Sequence, residues 1–212
     1  MKNRQKEYSV FGINGVSSIL NSSSCIVNSI FISENFNYKL NSNLSNQLKQ
    51  YKDKVKVLKA NDFKKKFESF RTQGIVVLFD FNIYNDLPRY YKEDEDLCYI
   101  ILDSIKDPQN LGQIIRTCEC AGVNGIVLPD RRSVSVTDTV LQVSQGAFCN
   151  LDIIVTNNIK YIINDLKKDG FWIVGVENSI ESSNWFDINM TGRSAFVFGS
   201  EGEGIRNLVK KY

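Results

Sequence analysis

The chain contains no histidine in 212 residues. That absence excludes a Ser-His-Asp triad, a Cys-His nucleophile pair, a histidine general base and imidazole-ligated metal. No apolar run approaches the roughly 18 residues of a membrane helix, so no membrane partner is expected. No apolar stretch follows the charges of the first seven residues, so no secretory signal is expected either. The five cysteines (Cys25, Cys98, Cys118, Cys120 and Cys149) are odd in number and lack C-x-x-C spacing. A disulfide framework and a zinc site are therefore not expected, and reduced cytoplasmic thiols filling small core positions are. There is no G-x-G-x-x-G fingerprint and no P-loop, which removes the common dinucleotide and triphosphate cradles.

What remains is an ordinary folding chain. Hydrophobic residues make up 42% and charged residues 24%, which argues against a disordered or fibrous protein. The net charge of +2 conceals a division: residues 1–90 carry +7 and residues 91–212 carry −5. A basic first part points to a polyanionic partner. The densest basic stretch runs from Lys49 to Lys66, and Lys52, Lys54 and Lys56 within it are the candidate nucleic-acid contacts. The alternative for this stretch is the solvated face of ordinary helices and strands.

Hydrophobic spacing divides the chain into a small α/β domain at 1–85, a linker at 86–96 with a proline and a charge run, and a second α/β domain at 97–212. In the first domain, Val16, Ile19 and Leu20 form a helical stripe, as do Leu44, Leu48 and Tyr51. Strands are expected at 29–32, 55–58 and 75–79. Phe63, Phe67 and Phe70 recur at helical spacing behind Asn61, which is read as the helix cap; as a stripe they suit a core better than an RNA-stacking platform. In the second domain strands are expected at 97–102, 125–128, 153–155, 171–176 and 195–198. Helices are expected at 111–121, 137–145 (capped by Thr137) and 159–168, with a last one opened by Gly204. Alternating apolar strands and helices imply a parallel sheet covered on both faces, with ligands at the carboxyl ends of its strands.

Two of those strand ends carry unusual loops. Residues 103–117 read DSIKDPQNLGQIIRT, a helix start with Arg116 one to two turns in. Taken bare, this suits an anion such as phosphate. Residues 199–204 read GSEGEG, where three glycines allow close backbone approach to a ligand. Glu201 there is either a cap or a polar ligand contact.

Together the strings D-x-x-x-D-P-x-N-x-G-x-I-x-R-T at 103–117 and F-G-S-E-G-E-G-I at 198–205 resemble the first two motifs of the SpoU/TrmH family. These are S-adenosylmethionine-dependent RNA methyltransferases of the SPOUT superfamily, whose fold is an α/β knot. The segments AGVNGIVLP at 121–129, DRRS at 130–133 and SQGA at 144–147 agree. FGINGV at 11–16 and TQGIV at 72–76 resemble the L30e-like substrate-binding domain of the rRNA branch, so the likeness covers nearly the whole chain. It points to the guanosine 2′-O-methyltransferases of 23S rRNA, the RlmB-like type. The family often has a histidine where Asn14 or Thr72 sits.

The resemblance implies a set of roles. Arg116 acts on the ribose hydroxyl, with Asn110 and Glu201 shaping the site around it. The backbone at Leu128, Pro129, Gly199, Ser200, Glu201 and Gly202 cradles S-adenosyl-L-methionine, and Arg131 and Arg132 hold RNA phosphate. The family forms homodimers with the site at the subunit interface, works in the cytoplasm on rRNA and uses no metal. Its third motif, I-P-M-x-G followed by S-L-N-V-S-V-A, comes after the helix in which residue 212 falls. The expectation is therefore a domain truncated before the knot-closing segment and inactive as the 1–212 chain. The competing reading is a catalytically inactive RNA-binding relative.

Overall fold

The computed structural model describes residues 7–67, 72–88, 92, 95–179 and 182–212. Phe70 of the aromatic stripe and residues 89–91, 93 and 94 of the expected linker lie outside the described residues. Two compact units are present: Met1–Asn82 with Val136–Asn150, and Ile83–Ser135 with Leu151–Tyr212.

The first unit holds β1 (Glu7–Phe11), α1 (Ile13–Asn21), β2 (Cys25–Ser33), α2 (Ser42–Gln50), β3 (Val55–Leu58), α3 (Ala60–Lys66) and β4 (Ile75–Phe81). Its sheet runs β1-β4-β2-β3, with β4 antiparallel to both neighbours and β2 parallel to β3. β1 was not anticipated from the sequence; it is an edge strand defined by its pairing with β4. Alternation along β4 gives the sheet two apolar faces. Val76 joins Phe31, Phe63 and Phe67 in one cluster, while Phe79 stacks on Phe148 at 5.7 Å and lies near Tyr8. Asn61 is not the cap of α3. That helix begins at Ala60, whose N–H is accepted by Glu34 from the loop after β2 at 2.9 Å, so no local capping side chain is needed.

The segment 136–150 packs in this unit. It contains the helix at Asp138–Ser144, capped by Thr137. The Gln142 amide receives Phe11 N–H at 2.8 Å and donates to Phe11 C=O at 3.0 Å. One side chain thus mimics a neighbouring strand at the edge of β1. Ser9 adds a bond to Asp138 at 2.6 Å. The SQGA string is explained here. Gln145 and Gly146 both have positive φ, and a Cβ on Gly146 would come within 2.3 Å of the Ser18 Cβ, so only glycine fits that approach.

In chain order the second unit contributes β5 (Leu97–Leu102), α4 (Pro108–Cys120) and β6 (Gly125–Pro129) before that helix, here α5, and β7 (Asp152–Thr156), α6 (Ile159–Lys168), β8 (Trp172–Val176), β9 (Arg193–Phe198) and α7 (Asn207–Lys210) after it. Its five strands are all parallel, in the order β7-β6-β5-β9-β8. The chain builds outward from β5 to one side, then crosses to the other. This places a reversal of strand order beside β5, where parallel sheets open a crevice at their carboxyl ends. Tyr84 bridges to Ile154 at the β7 edge, so the second sheet begins to recruit backbone before β5.

The two faces of this sheet are unlike. Leu97, Tyr99, Ile101, Ala195 and Val197 point into a core completed by Ile159, Ile162, Ile163 and Leu166 of α6 and by Val209 of α7. The opposite face carries Ile100, Leu102, Phe196 and Phe198 toward a groove of about 790 Å³ beside α4. The expectation of a sheet covered on both faces holds for the central strands, where Ile100, Leu102 and Phe196 are buried on the α4 side too, and fails at the edge strand β8, where Trp172 is exposed. A second correction concerns Gly204. It does not open the last helix but closes a turn, and α7 begins three residues later, at Asn207.

Candidate active site at the carboxyl ends of the parallel strands

β5 is all apolar, and where it ends the chain turns on a buried carboxylate. Asp103 is fully buried and takes its backbone bond from N–H to Phe198 C=O at 2.7 Å, continuing the β5–β9 ladder by one residue. Ser104 follows with φ of 75°, a region costly for a residue with a Cβ. α4 then starts with Asp107 as its cap and Pro108 in its first turn, both suited to a helix N-terminus.

The loop after β9 folds back on itself. Ser200 and Gly204 exchange both backbone hydrogen bonds, at 3.1 and 3.0 Å. A Cβ on Gly199 would fall 1.8 Å from the Gly204 carbonyl carbon, so the tight turn excludes any other residue there. The loop after β6 is held in turn to the loop after β5. Val134 N–H and the Ser133 hydroxyl both donate to Ile105 C=O, at 2.7 and 2.8 Å.

Two polar links join the first and last loops. The Asn110 amide donates to the Glu201 carboxylate. Arg206 donates its backbone N–H and its guanidinium to Asp103, with distances of 3.0 Å to Oδ2 and 2.7 and 2.6 Å to Oδ1. A buried carboxylate with three such donors is well satisfied. Behind the last loop, Glu177 accepts Ile205 N–H at 3.3 Å and pairs with Lys210 at 2.7 Å. The Lys210 ammonium, aided by Ile205 N–H, holds the Glu177 carboxyl below its ordinary range.

The model of the SpoU rRNA methylase family matches residues 97–212, more than half of the chain. The chain belongs to the SpoU rRNA methylase family. Relatives of this SpoU chain include a Staphylococcus aureus protein assigned to the TrmH family of tRNA/rRNA methyltransferases. It is 36% identical over 141 residues, covering 65% of the chain and 56% of the relative. A Staphylococcus haemolyticus counterpart is 35% identical over 142 residues, covering 65% and 57%. The chain thus spans a little over half the length of the curated relatives it matches. Among solved structures, the SpoU methyltransferase AviRb of Streptomyces viridochromogenes superposes with a TM-score of 0.79 at 16% identity, over 97% of this chain and 76% of that one. The AdoMet-bound rRNA methyltransferase of Sinorhizobium meliloti gives 0.75 at 18% identity, over 97% and 75%. The parallel α/β fold expected of a SpoU chain is the fold these structures share.

Within the SpoU segment, Asn110, Leu128, Pro129 and residues 199–202 are brought to one end of the sheet by β5, β6 and β9. Leu128 and Pro129 are buried at the end of β6, whereas Glu201 and Gly202 are exposed. Arg131 and Arg132 are exposed in the loop after β6, Arg132 with φ of 67°. Arg116 is exposed on α4. It neighbours Gln113 at i,i+3 spacing but is not itself among Asn110, Gln113, Ile114, Thr117 and Cys118, the α4 residues that line the groove. Lys52, Lys54 and Lys56 belong to the first unit and are all exposed. Lys54 donates to Val27 C=O, and Lys56 reaches the Ser29 hydroxyl and lies over the Phe31 ring. The sequence reading missed Asp103, Arg206 and Glu177. Asp103 and Arg206 lie in or beside the two motif strings, but nothing local says that they meet across 103 positions.

Proposed function

We propose that the full-length protein methylates a ribose 2′-hydroxyl of RNA, with a guanosine of 23S rRNA as the target and S-adenosylmethionine as the donor. The observation that carries this reading is the linked set of three loops at the ends of β5, β6 and β9, with Gly199 so close to the Gly204 backbone that no side chain fits there. Such a cradle fits a cofactor held by backbone groups. Leu128, Pro129, Gly199, Ser200, Glu201 and Gly202 would hold it. When bound, it supplies the electrophilic methyl group.

The chain's own residues do the rest. Asn110 fixes Glu201, and so the exposed lip of the last loop. Arg116 is permanently cationic and cannot serve as an ordinary base at neutral pH. It instead orients the nucleotide phosphate and stabilises the alkoxide that develops on the ribose oxygen. Arg131 and Arg132 add phosphate contacts, and the basic first unit holds the surrounding RNA. The working form is a cytoplasmic homodimer without metal.

The test is transfer of radiolabelled methyl groups to 23S rRNA, followed by nuclease mapping of the label. Ribose label on a guanosine is expected. Arg116→Ala should reduce turnover on the order of 100-fold or more, with cofactor affinity little changed, and Arg116→Lys should not restore it. Label on a base, or near-normal turnover of the lysine variant, would overturn the reading.

A further inference from the structure

The first unit holds two thiols that no part of the proposed methyl transfer uses. Cys25 opens β2, and Cys149 lies in the 3-10 turn Ala147–Asn150. Their sulfurs are 3.6 Å apart although 124 positions separate them in the chain. Ser24 ties the two segments together: its hydroxyl donates to Cys149 C=O at 2.9 Å and lies 4.0 Å from the Cys25 sulfur. Cys25 is 8% exposed and Cys149 is half-buried. We propose that Cys25 and Cys149 form a reversible dithiol–disulfide site, oxidised by hydroperoxides and reduced by dithiols.

The surroundings divide the labour between the two sulfurs. Hydrogen bonding with the Cys149 thiol lowers the Cys25 pKa against the opposing effect of burial, with the Ser22 and Ser24 hydroxyls adding to the lowering. The same hydrogen bond, together with burial, raises that of Cys149. Cys25 is thus the nucleophile and Cys149 the resolving thiol. In the first step the Cys25 thiolate attacks one peroxide oxygen. The O–O bond breaks, the alcohol or water leaves after taking a proton, and Cys25 becomes a sulfenic acid. In the second, Cys149 gives up its proton and attacks the Cys25 sulfur, and the S–O bond breaks with loss of water. Two thiols and one hydroperoxide give one disulfide, one alcohol or water, and one further water.

The geometry requires little movement. A disulfide is about 2.05 Å long, so the sulfurs approach by about 1.5 Å, within the reach of side-chain rotation. The other cysteines lack this combination. Burial and the neighbouring Cys98 push the Cys118 thiol up to about 11. Cys120 is exposed, with its thiol directed to Glu119.

The test is intact-mass and peptide-mapping spectrometry after brief treatment of the protein with hydrogen peroxide at neutral pH. The expected result is a loss of two hydrogens, a peptide joining Cys25 to Cys149, and full reversal by dithiothreitol. Cys149→Ser should abolish the link and leave a Cys25 sulfenic acid that dimedone traps. Cys120→Ser should leave the link unchanged. The wild-type map is read without any variant, so a misfolded variant does not decide the matter. Added oxygen with no Cys25–Cys149 peptide, or a disulfide formed only between molecules, would overturn the proposal.

Discussion

Asp103 and Arg206 show how much a single pair determines at the residue scale. The carboxylate is fully buried, whereas the arginine side chain keeps 27% of its surface in contact with water. Removing the two partners therefore has unequal consequences. Arg206→Ala strands a buried charge, and a cost near 3 kcal/mol is expected, at the low end of the roughly 3–5 kcal/mol for a broken buried pair. The low end applies because Arg206 N–H and the Ser104 hydroxyl still reach Asp103. Asp103→Asn keeps shape and acceptor and should cost less; urea unfolding of both variants ranks them. Glu177 permits a test by pH. Its pKa is lower folded than unfolded because Lys210 and Ile205 N–H favour the charged form. The stability it contributes is thus present above the ordinary glutamate pKa and lost as pH falls through the folded value. The difference in melting temperature between wild type and Glu177→Gln should shrink toward zero on acidification through that window. A difference independent of pH would contradict the assignment.

At the scale of elements, β1 and α5 depend on each other. β1 is an edge strand of five residues, and the backbone N–H and C=O of its last residue, Phe11, are met by one glutamine. Gln142→Ala removes both bonds, worth roughly 0.5–1.5 kcal/mol each. A loss of about 1–3 kcal/mol is expected, together with faster hydrogen exchange at the Phe11 amide. Exchange unchanged at Phe11 would mean that β1 is held by β4 alone. Helix starts follow a related rule. Thr137, Asp107 and Asn158 cap their own helices over two or three residues, a range at which caps can leave a mark in the sequence. Of the three, only Thr137 is identified as a cap from the sequence, and α4 starts at Pro108, three residues before the expected 111. α3 and α7 draw their acceptors from Glu34 and Asp103, far away in sequence. Asn61 and Gly204 were for that reason misleading markers.

For the whole molecule, the division of charge bears on RNA. If the basic first unit carries the polyanion contact, binding of rRNA fragments must weaken as salt rises, by about 0.7–0.9 log units per decade of salt for each phosphate neutralised. Among the three candidate lysines, Lys52 should matter most for RNA, because Lys54 and Lys56 already hold intramolecular partners. Lys52→Ala should weaken binding at low salt and reduce the salt slope by about one phosphate's share. An unchanged slope would remove Lys52 from the interface.

The sequence by itself determined the character of each segment. The apolar run LCYIIL had to be a strand buried on both faces, and the stripe of Ile159, Ile162, Ile163 and Leu166 had to be a helix laid on a core. The two motif strings marked the strand ends where a site would form, because their glycines, proline and capping residues act over a few neighbouring positions. Only tertiary structure decided which distant groups complete one another. It placed α5 against β1, brought Cys25 to Cys149, set Asp103 under Arg206 and left Arg116 out of the groove lining. The physical reason is the range of the interactions. Propensity, periodicity and capping are local and leave a mark in the string, whereas a buried carboxylate or an edge strand is satisfied by whatever the fold brings to it.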